Sequence, residues 1–542
     1  MAGQINQTLS RRRFVAASAV AGAAAAAGPA VAAARSQRSR SAVSLLPDPD
    51  AVARAVGHPA DLGVLEAASL LQAGRLSPVE LLDACLRRID RRNGPISFDG
   101  SATTINAFVR RYDEVAQRAA SAATQRLSRS DVRRLGRRAP LLTGIPVGLK
   151  DLYAVEGLPL TASSHILDGN IARGDSTVWR RLSFARMVLT GHTQTDEFAF
   201  LAVTPQCGNP WNTAYVTGGS SGGSAAALAA RMLPATTGSD TFGSLRIPAG
   251  FCGVSSIKPT YGVISGAGVV PLAWSFDTCG PMARSVADCS LLLSAMAGRD
   301  ADDPSTDVAY TRPARYPLAA RAGARPLRRT RIGIPRSFGG DLAAGPAEIY
   351  SRTQSELQAL GATLVPVDEP ANPFSTPLEF YAESLAYHGQ WFPARASDYK
   401  PPTAQMLALV RGLDLSAVDY LGLQRTRAAY ISDYKRFLAD QRLDAVAVPV
   451  SLADPPPRSD PRVLSPATNP ENSQLLTFAY SYLGFPVVTA PGGASKATGL
   501  PVGIQLVGAP FSDARLIQLA IDLQAHYPHF QEQPPGLAAD PA

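Results

Sequence analysis

The pattern of apolar and polar positions predicts a pair of helices early in the chain. Over Val64–Asp90 the apolar residues recur at helical spacing, and Gly74 interrupts them. Ser77 followed by Pro78 is a typical helix start, because serine caps free amides and proline fits the first turn. We therefore expect a helix, a turn and a second helix, and a further helix over Ala107–Arg126.

Further along, short apolar runs alternate with helical patterns. The helical patterns include Thr177–Arg186 and Ser224–Met232, and the runs IPVGLK, ARMVLTGHT, TRIGIP and VVTAPGG are short enough for buried strands. This alternation predicts an α/β fold with a central mixed β-sheet flanked by helices on both faces. Residues 298–325 are expected to form a surface loop, and the Pro-rich stretch 454–473 is long enough to be a lid or binding loop.

Residues 1–34 have the layout of an export signal. Arg11–Arg13 precede an alanine-rich apolar stretch, and small residues follow, so cleavage is expected after Ala32 or Ala34. The run SRRRFV resembles a twin-arginine signal, which makes the export machinery an expected partner and the periplasm or the exterior the expected location. The stretch is too short to span a bilayer, so no stable membrane anchor is expected. An uncleaved tail is the alternative.

Composition narrows the function classes. The 542 residues are 46% hydrophobic and 18% charged, which is typical of a globular protein. Of the net charge of +8, three charges lie in the export segment and the rest are spread thinly, so nucleic acid is not an expected partner. The odd count of five widely spaced cysteines does not fit a disulfide framework. Neither Cys-x-x-Cys nor His-Glu-x-x-His occurs, so no metal or other cofactor is expected.

Three stretches carry candidate chemistry. The run GGSSGGS at 218–224 precedes a helix-forming segment, which places its amides at a helix start facing whatever lies there, unless the run is a flexible turn. It also fits the Gly-x-Ser-x-Gly nucleophile elbow at Ser220 or Ser221, which requires a later histidine. The later histidines are His388, His526 and His529.

Lys150 ends the strand-like IPVGLK and is either a structural residue or an amine that burial makes neutral and basic. Ser244 lies in SDTFGSLRIP.

Together, these stretches resemble the amidase signature family. The motifs are VGLKD, GGSSGGS and SDTFGSLRIPAGFCGVSSIKPT, supported by LQAGRLSPVELLDACLRRI, TDEFAF, GNPWN, FAYSYLGFPVVTAPGG and GLPVGIQLVG. The resemblance covers Leu62–Ala525. It implies an amidase domain over 61–530 with a variable substrate-loop region near 370–475, between a lead-in at 35–60 and a tail at 531–542.

The resemblance implies a Ser–Ser–Lys triad. In it Ser244 is the nucleophile, Ser220 is the bridging serine after a cis peptide bond, and Lys150 is the base. The proton of Ser244 would pass through the Ser220 hydroxyl to a neutral Lys150, because a hydroxyl donates and accepts at once. An amide would then be cleaved to an acid and an amine or ammonia through an acyl-enzyme.

The resemblance also assigns supporting roles around the nucleophile. The backbone amides of the turn form the oxyanion hole, Ser221 supports the hydrogen-bond network, and two charged residues form a structural ion pair. The oxyanion-hole residues are Thr241, Phe242, Gly243 and Ser244, and the ion pair is Asp240 with Arg246.

Two other functions stay open. One is the glutaminase (A) subunit of a tRNA-dependent amidotransferase, which shares these motifs. The other is a non-catalytic binding relative, motivated by Phe242, because the family usually has two glycines before the nucleophile. Aromatic residues are frequent in 370–475, which favours either an apolar or aryl acyl group in the substrate or an ordinary core.

Overall fold

The chain folds into strands and helices that alternate along the sequence. A computed structural model describes residues 46–100, 103–128, 139–307, 315–338, 341–373, 378–460 and 476–537. Its strands are β1 (Phe108–Arg111), β2 (Pro146–Lys150), β3 (Val188–Thr193), β4 (Gly208–Asn209), β5 (Asn212–Val216), β6 (Ala235–Asp240), β7 (Ser255–Lys258), β8 (Thr278–Ala283), β9 (Arg331–Pro335), β10 (Thr363–Val367), β11 (Ala445–Pro449), β12 (Val487–Ala494) and β13 (Pro501–Val507). Its helices are α1 (Pro49–Ala55), α2 (Val64–Ala73), α3 (Pro78–Arg92), α4 (Asp113–Ser128), α5 (Thr177–Phe184), α6 (Gly222–Ala229), α7 (Arg246–Cys252), α8 (Val286–Met296), α9 (Ala344–Ala359), α10 (Leu378–His388), α11 (Pro401–Gly412), α12 (Ala417–Asp440), α13 (Phe478–Leu483) and α14 (Asp513–His526).

Eleven of the strands form one mixed sheet, as predicted. Their order is β1-β3-β2-β6-β8-β7-β12-β13-β11-β9-β10, and β4 pairs with β5 in a separate two-stranded sheet. β2 runs parallel to β3 and β6, whereas β6 pairs antiparallel with β8. Helices pack on the sheet, among them α6, α7 and α8 around its centre. The short apolar run of β2 is explained by its position inside the sheet, since an interior strand is covered on both faces.

The predicted helix pair is present and its ends follow from local chemistry. Ser77 caps α3 by accepting a hydrogen bond from the Glu80 amide, and the Glu80 carboxylate in turn accepts one from the Ser77 amide. Gly74 ends α2 in the left-handed conformation that glycine tolerates best.

The helix predicted over Ala107–Arg126 is wrong in its first part. Phe108–Arg111 forms the edge strand β1, which pairs antiparallel with β3, and the helix α4 begins only at Asp113. The interruption follows from pairing with a strand far away in sequence, which local spacing does not register.

Several sequence predictions fall outside the described residues. These are the export segment 1–34, the lead-in up to residue 45, most of the Pro-rich stretch 454–473, and the final residues of the tail. Within the described ranges, no helix is long and apolar enough to cross a bilayer.

Candidate active site

Lys150 ends β2 and is fully buried. Its Nζ donates hydrogen bonds to the Oγ of Ser220 at 2.6 Å and to the Oγ of Ser239 at 3.0 Å. Burial lowers the pKa of Lys150 to about 8, although the carboxylate of Asp196 and others nearby favour its charged form. An amine with such a pKa is partly neutral near neutral pH and can accept a proton.

Ser220 lies in the glycine-serine run between β5 and α6. The peptide bond from Gly219 to Ser220 is cis, as the resemblance implies. A Cβ on Gly219 would lie 2.4 Å from the backbone carbonyl carbon of Val203, so this position admits only glycine. The Thr204 hydroxyl donates to the Ser220 carbonyl at 3.1 Å and fixes the segment from the other side.

Ser244 lies on the turn that joins β6 to α7 and is buried. The amide of Ser221 donates to the carbonyl of Ser244 at 3.2 Å. The stretches 218–224 and 239–248 therefore lie side by side, and the fold brings the segments of Lys150, Ser220 and Ser244 together.

The turn before Ser244 offers fewer free amides than the sequence suggested. The Gly243 amide donates to Asp240 Oδ1 at 2.8 Å, so it is already engaged, and Thr241, Phe242 and Ser244 remain as candidate donors. Gly243 has φ of 127°, and a Cβ there would lie 2.3 Å from Thr477 Oγ1, so glycine is required. Phe242 is not among the residues with positive φ, which makes its side chain compatible with the turn.

Asp240 and Arg246 form a buried bidentate ion pair. Arg246 Nε and Nη2 each donate to the Asp240 carboxylate at 2.9 Å, and both side chains are 0% exposed. Burial alone would raise the pKa of Asp240, but the Arg246 guanidinium holds it below its usual range. Arg246 also donates to the Thr477 carbonyl at 2.9 Å and the Ser481 hydroxyl at 2.7 Å. The pair thus ties the turn to α13.

The start of α6 is occupied by groups of the protein itself. The amides of Gly222 and Gly223 donate to Thr204 Oγ1 and the Gln194 carbonyl, each at 3.1 Å. The run thus lies at a helix start, as predicted, and what its amides face is the protein's own Thr204 hydroxyl and Gln194 carbonyl. Ser221 occupies the N-cap position of α6 without a side-chain capping bond, and its Oγ donates to the Ser239 carbonyl at 3.3 Å instead.

The later histidines make their contacts elsewhere. His388 Nδ1 lies 3.0 Å from the Tyr399 hydroxyl, and His526 Nδ1 lies 2.9 Å from a backbone carbonyl of its own helix. His529 bonds carboxylates near the end of the described chain. The Ser–His elbow interpretation thus has no histidine partner among these contacts. The described residues also contain no cluster of His, Cys, Asp and Glu suited to a metal ion.

Sequence reasoning missed two hydroxyls of the site. Ser239 accepts from Lys150 Nζ, and Thr237 Oγ1, two residues earlier on β6, accepts from the Lys150 amide at 3.2 Å. Residues two apart on a strand share a face, so the alternating hydroxyls of ATTGSD were the available signal. Thr477 Oγ1 donates to the Phe242 carbonyl at 2.6 Å and fixes the turn.

The chain is similar to known proteins over most of its length. Residues 81–517 match the family model Amidase. The A subunit of glutamyl-tRNA(Gln) amidotransferase from Anaeromyxobacter sp. (strain K) is 35% identical over 85% of this chain and 96% of its own. The native peptide amidase of Stenotrophomonas maltophilia is 28% identical, with a TM-score of 0.69 over 88% of this chain and 98% of its own. The structure of the corresponding amidotransferase subunit from Thermotoga maritima is 25% identical, with a TM-score of 0.67 over 86% and 95%. The chain therefore belongs to the amidase family.

Proposed function

We propose that this protein hydrolyses a simple carboxylic amide and that Ser244 is its nucleophile. The observation that carries the proposal is the 2.6 Å contact between Lys150 Nζ and Ser220 Oγ, in a buried setting that lowers the lysine pKa to about 8. A neutral Lys150 accepts the Ser220 proton while Ser220 accepts that of Ser244.

The reaction follows in two steps. Ser244 Oγ attacks the amide carbonyl, and the amides of Thr241, Phe242 and Ser244 stabilise the oxyanion, each donor contributing about 3–4 kcal/mol. Ser220 returns the proton to the leaving nitrogen, the C–N bond breaks, and an amine or ammonia departs. Water then attacks the acyl-enzyme through the same relay, releasing the acid and restoring Ser244.

The test is labelling by a fluorophosphonate, followed by peptide mapping on intact protein. We expect one adduct, on Ser244, formed far more slowly in Lys150→Ala and Ser220→Ala. Ser256→Ala, a buried serine on β7, is the matched control and should label at the wild-type rate. A folded wild-type protein that gives no adduct on Ser244 would contradict the proposal.

A glutaminase subunit is the second candidate. Its support is the match to the A subunit of a glutamyl-tRNA(Gln) amidotransferase over 96% of the length of that relative. Ammonia release from glutamine, measured beside release from short monocarboxylic amides, separates the two functions. Faster release from glutamine would favour the subunit role.

We also propose that the protein is exported through its N-terminal segment. The support is the basic and alanine-rich layout of residues 1–34. The test compares cell fractions for the wild type and for the double variant Arg11→Lys, Arg12→Lys. Export of the wild type with retention of the variant in the cytoplasmic fraction is expected, and a wild type that stays in the cytoplasmic fraction would contradict export.

A further inference from the structure

Phe242 lies at the centre of a group of aromatic rings beside the nucleophile. Its ring is stacked on Phe478 with centroids 4.8 Å apart and stands perpendicular to Phe380 at 4.8 Å. Phe276 and Tyr482 lie 5.4 and 5.8 Å from it. We call these five residues the Phe242 cluster. At such distances the rings are in contact.

One edge of the Phe242 cluster is open. Phe276, Phe380 and Tyr482 are buried, whereas Phe242 and Phe478 are partly exposed. The stacked pair therefore forms the accessible edge of an otherwise closed group. Since the rings contact each other, no slot for another ring lies between them.

The Phe242 backbone places this edge next to the reacting carbonyl. The Phe242 amide is one of the candidate oxyanion donors, and such donors lie about 3 Å from the oxyanion. The Thr477 hydroxyl fixes the carbonyl of the same residue at 2.6 Å. The ring of Phe242 is therefore attached to backbone that touches the substrate carbonyl.

The cluster faces the acyl side of the substrate and not the leaving group. Ser220 must return the proton to the leaving nitrogen, so that nitrogen lies on the Ser220 side. Ser220 bonds Lys150 and Thr204, and Lys150 in turn bonds Ser239; none of these residues belongs to the Phe242 cluster. Since the acyl substituent lies on the other side of the carbonyl carbon, we place it towards the rings of the Phe242 cluster.

We propose that Phe242 restricts the enzyme to short, uncharged acyl groups, such as acetyl and propionyl, because its ring occupies the space that a larger group would need. This inference rests on the proposed amide hydrolysis. Anionic acyl groups are excluded since they would lose hydration against aromatic rings without gaining a partner, and cationic ones since Arg427, beside the Phe276 ring, would repel them. Charged side chains also contact buried members of the cluster: Arg427 lies 3.9 Å from the Phe276 ring, and Glu379 accepts a hydrogen bond from the Tyr482 hydroxyl at 3.2 Å.

The test measures kcat/KM on p-nitroanilides of acetic, propionic and phenylacetic acids. The wild type should prefer propionyl to phenylacetyl by about tenfold or more, since a pocket rejects an oversized group strongly. Phe242→Ala should reverse or abolish this preference, and Phe242→Leu should shift it part of the way. Phe276→Leu loosens the same cluster without changing the oxyanion segment, and it should keep the wild-type preference. The midpoint of thermal unfolding shows whether each variant is folded. If Phe242→Ala does not fold, Phe242→Leu alone tests the role of the ring.

The outcomes separate this inference from the proposed function. If the wild type labels at Ser244 and hydrolyses amides, but Phe242→Ala or Phe242→Leu leaves the acyl preference unchanged within twofold, the role of Phe242 is wrong and the hydrolase stands. A wild type that prefers the phenylacetyl substrate also overturns it. Absence of both labelling and hydrolysis in folded wild type overturns the proposed function and this inference together.

Discussion

The Nζ of Lys150 lies 2.6 Å from the Oγ of Ser220, and both side chains are 0% exposed. In its neutral form the lysine has two N–H groups and one lone pair. Ser239 accepts one N–H at 3.0 Å, which leaves the lone pair for the Ser220 proton. The charged form donates to both hydroxyls instead. The direction of the contact with Ser220 therefore depends on the protonation of Lys150.

The first prediction concerns pH. Because the base must be neutral, kcat/KM should rise as pH increases and level off above a midpoint near 8, the pKa to which burial lowers Lys150. Stopped assays from pH 6 to 10 on a short acyl p-nitroanilide measure it. Lys150→Met should lose about 1,000-fold or more in kcat/KM, since it removes the base of a covalent mechanism. Wild-type activity that is flat across this range would contradict Lys150 as the base.

The second prediction concerns Ser239 as a positioning residue. Ser239→Ala removes a hydrogen bond that stabilises the charged amine most, so the pH midpoint should move to lower pH. Without this hydrogen bond the Lys150 lone pair is no longer directed at Ser220. The plateau of kcat/KM should therefore also fall by about tenfold. Ser239→Thr keeps the hydroxyl and is the control, with a midpoint close to that of the wild type. If Ser239 acts only in packing, Ser239→Ala would lower the plateau of kcat/KM and leave the midpoint of the pH profile unchanged.

The third prediction concerns the stability of the turn. Arg246→Met leaves the buried Asp240 carboxylate uncompensated, which should reduce the free energy of unfolding by about 3–5 kcal/mol. Because the pKa of Asp240 is lowered in the folded protein, the contribution of the pair is present above about pH 3.9 and is lost as pH falls through the lower folded value. Urea unfolding at pH 7 measures the loss.

A surface ion pair supplies the control for the Arg246 experiment. Arg436 and Asp433 pair on α12 with side chains 75% and 51% exposed, so Arg436→Met should change the free energy by only about 0–1 kcal/mol. The double variant Asp240→Asn, Arg246→Met should be less unstable than Arg246→Met alone, since no buried charge is left unpaired. Equal losses for Arg246→Met and Arg436→Met would show that the buried pair does not hold the turn.

The sequence predicted those features whose causes are local. Gly74 and Ser77 mark the ends of α2 and α3 because capping depends on neighbouring residues. The apolar run of β2 marked it as a buried strand. That Lys150 and Ser220, which are 70 positions apart, meet at one site was implied instead by the family resemblance of their motifs.

Features that depend on distant contacts were not predictable from spacing. β6 is buried along its length but reads ATTGSD, because the hydroxyls of Thr237 and Ser239 bond Lys150 instead of packing in an apolar core. The partner of Ser239 lies 89 positions away. Likewise, nothing local indicated that Asp240 would take up the Gly243 amide and reduce the set of oxyanion donors.

The fourth prediction concerns the five cysteines, all of which are free and buried. Burial raises the pKa of Cys85 and of Cys279 to about 12, and the thiolate is the form that reacts with disulfide reagents. The native protein should therefore not react with a dithiobis-nitrobenzoate reagent over minutes, and all thiols should react in guanidinium. Iodoacetamide should leave amidase activity unchanged. Rapid labelling of one native thiol, mapped by mass spectrometry, would reveal an opening of the surrounding core.

The last prediction concerns His529, which holds the C-terminal segment. Its Nε2 lies 2.9 Å from Glu356 on α9 and its Nδ1 lies 2.9 Å from Glu532. These carboxylates raise the pKa of His529 to about 9. Their contribution to the free energy of unfolding is therefore complete below about pH 6.5, the pKa of histidine in the unfolded chain, and is lost as pH rises through 9. His529→Gln should therefore lower the unfolding midpoint at pH 6 and have little effect at pH 10. Gln531→Ala, in the same turn, changes no titratable group and should shift the midpoint equally at both pH values. An ionic attraction requires the imidazolium, which is present only at the lower pH. If His529→Gln also lowers the unfolding midpoint equally at pH 6 and pH 10, the contacts with Glu356 and Glu532 therefore act through packing.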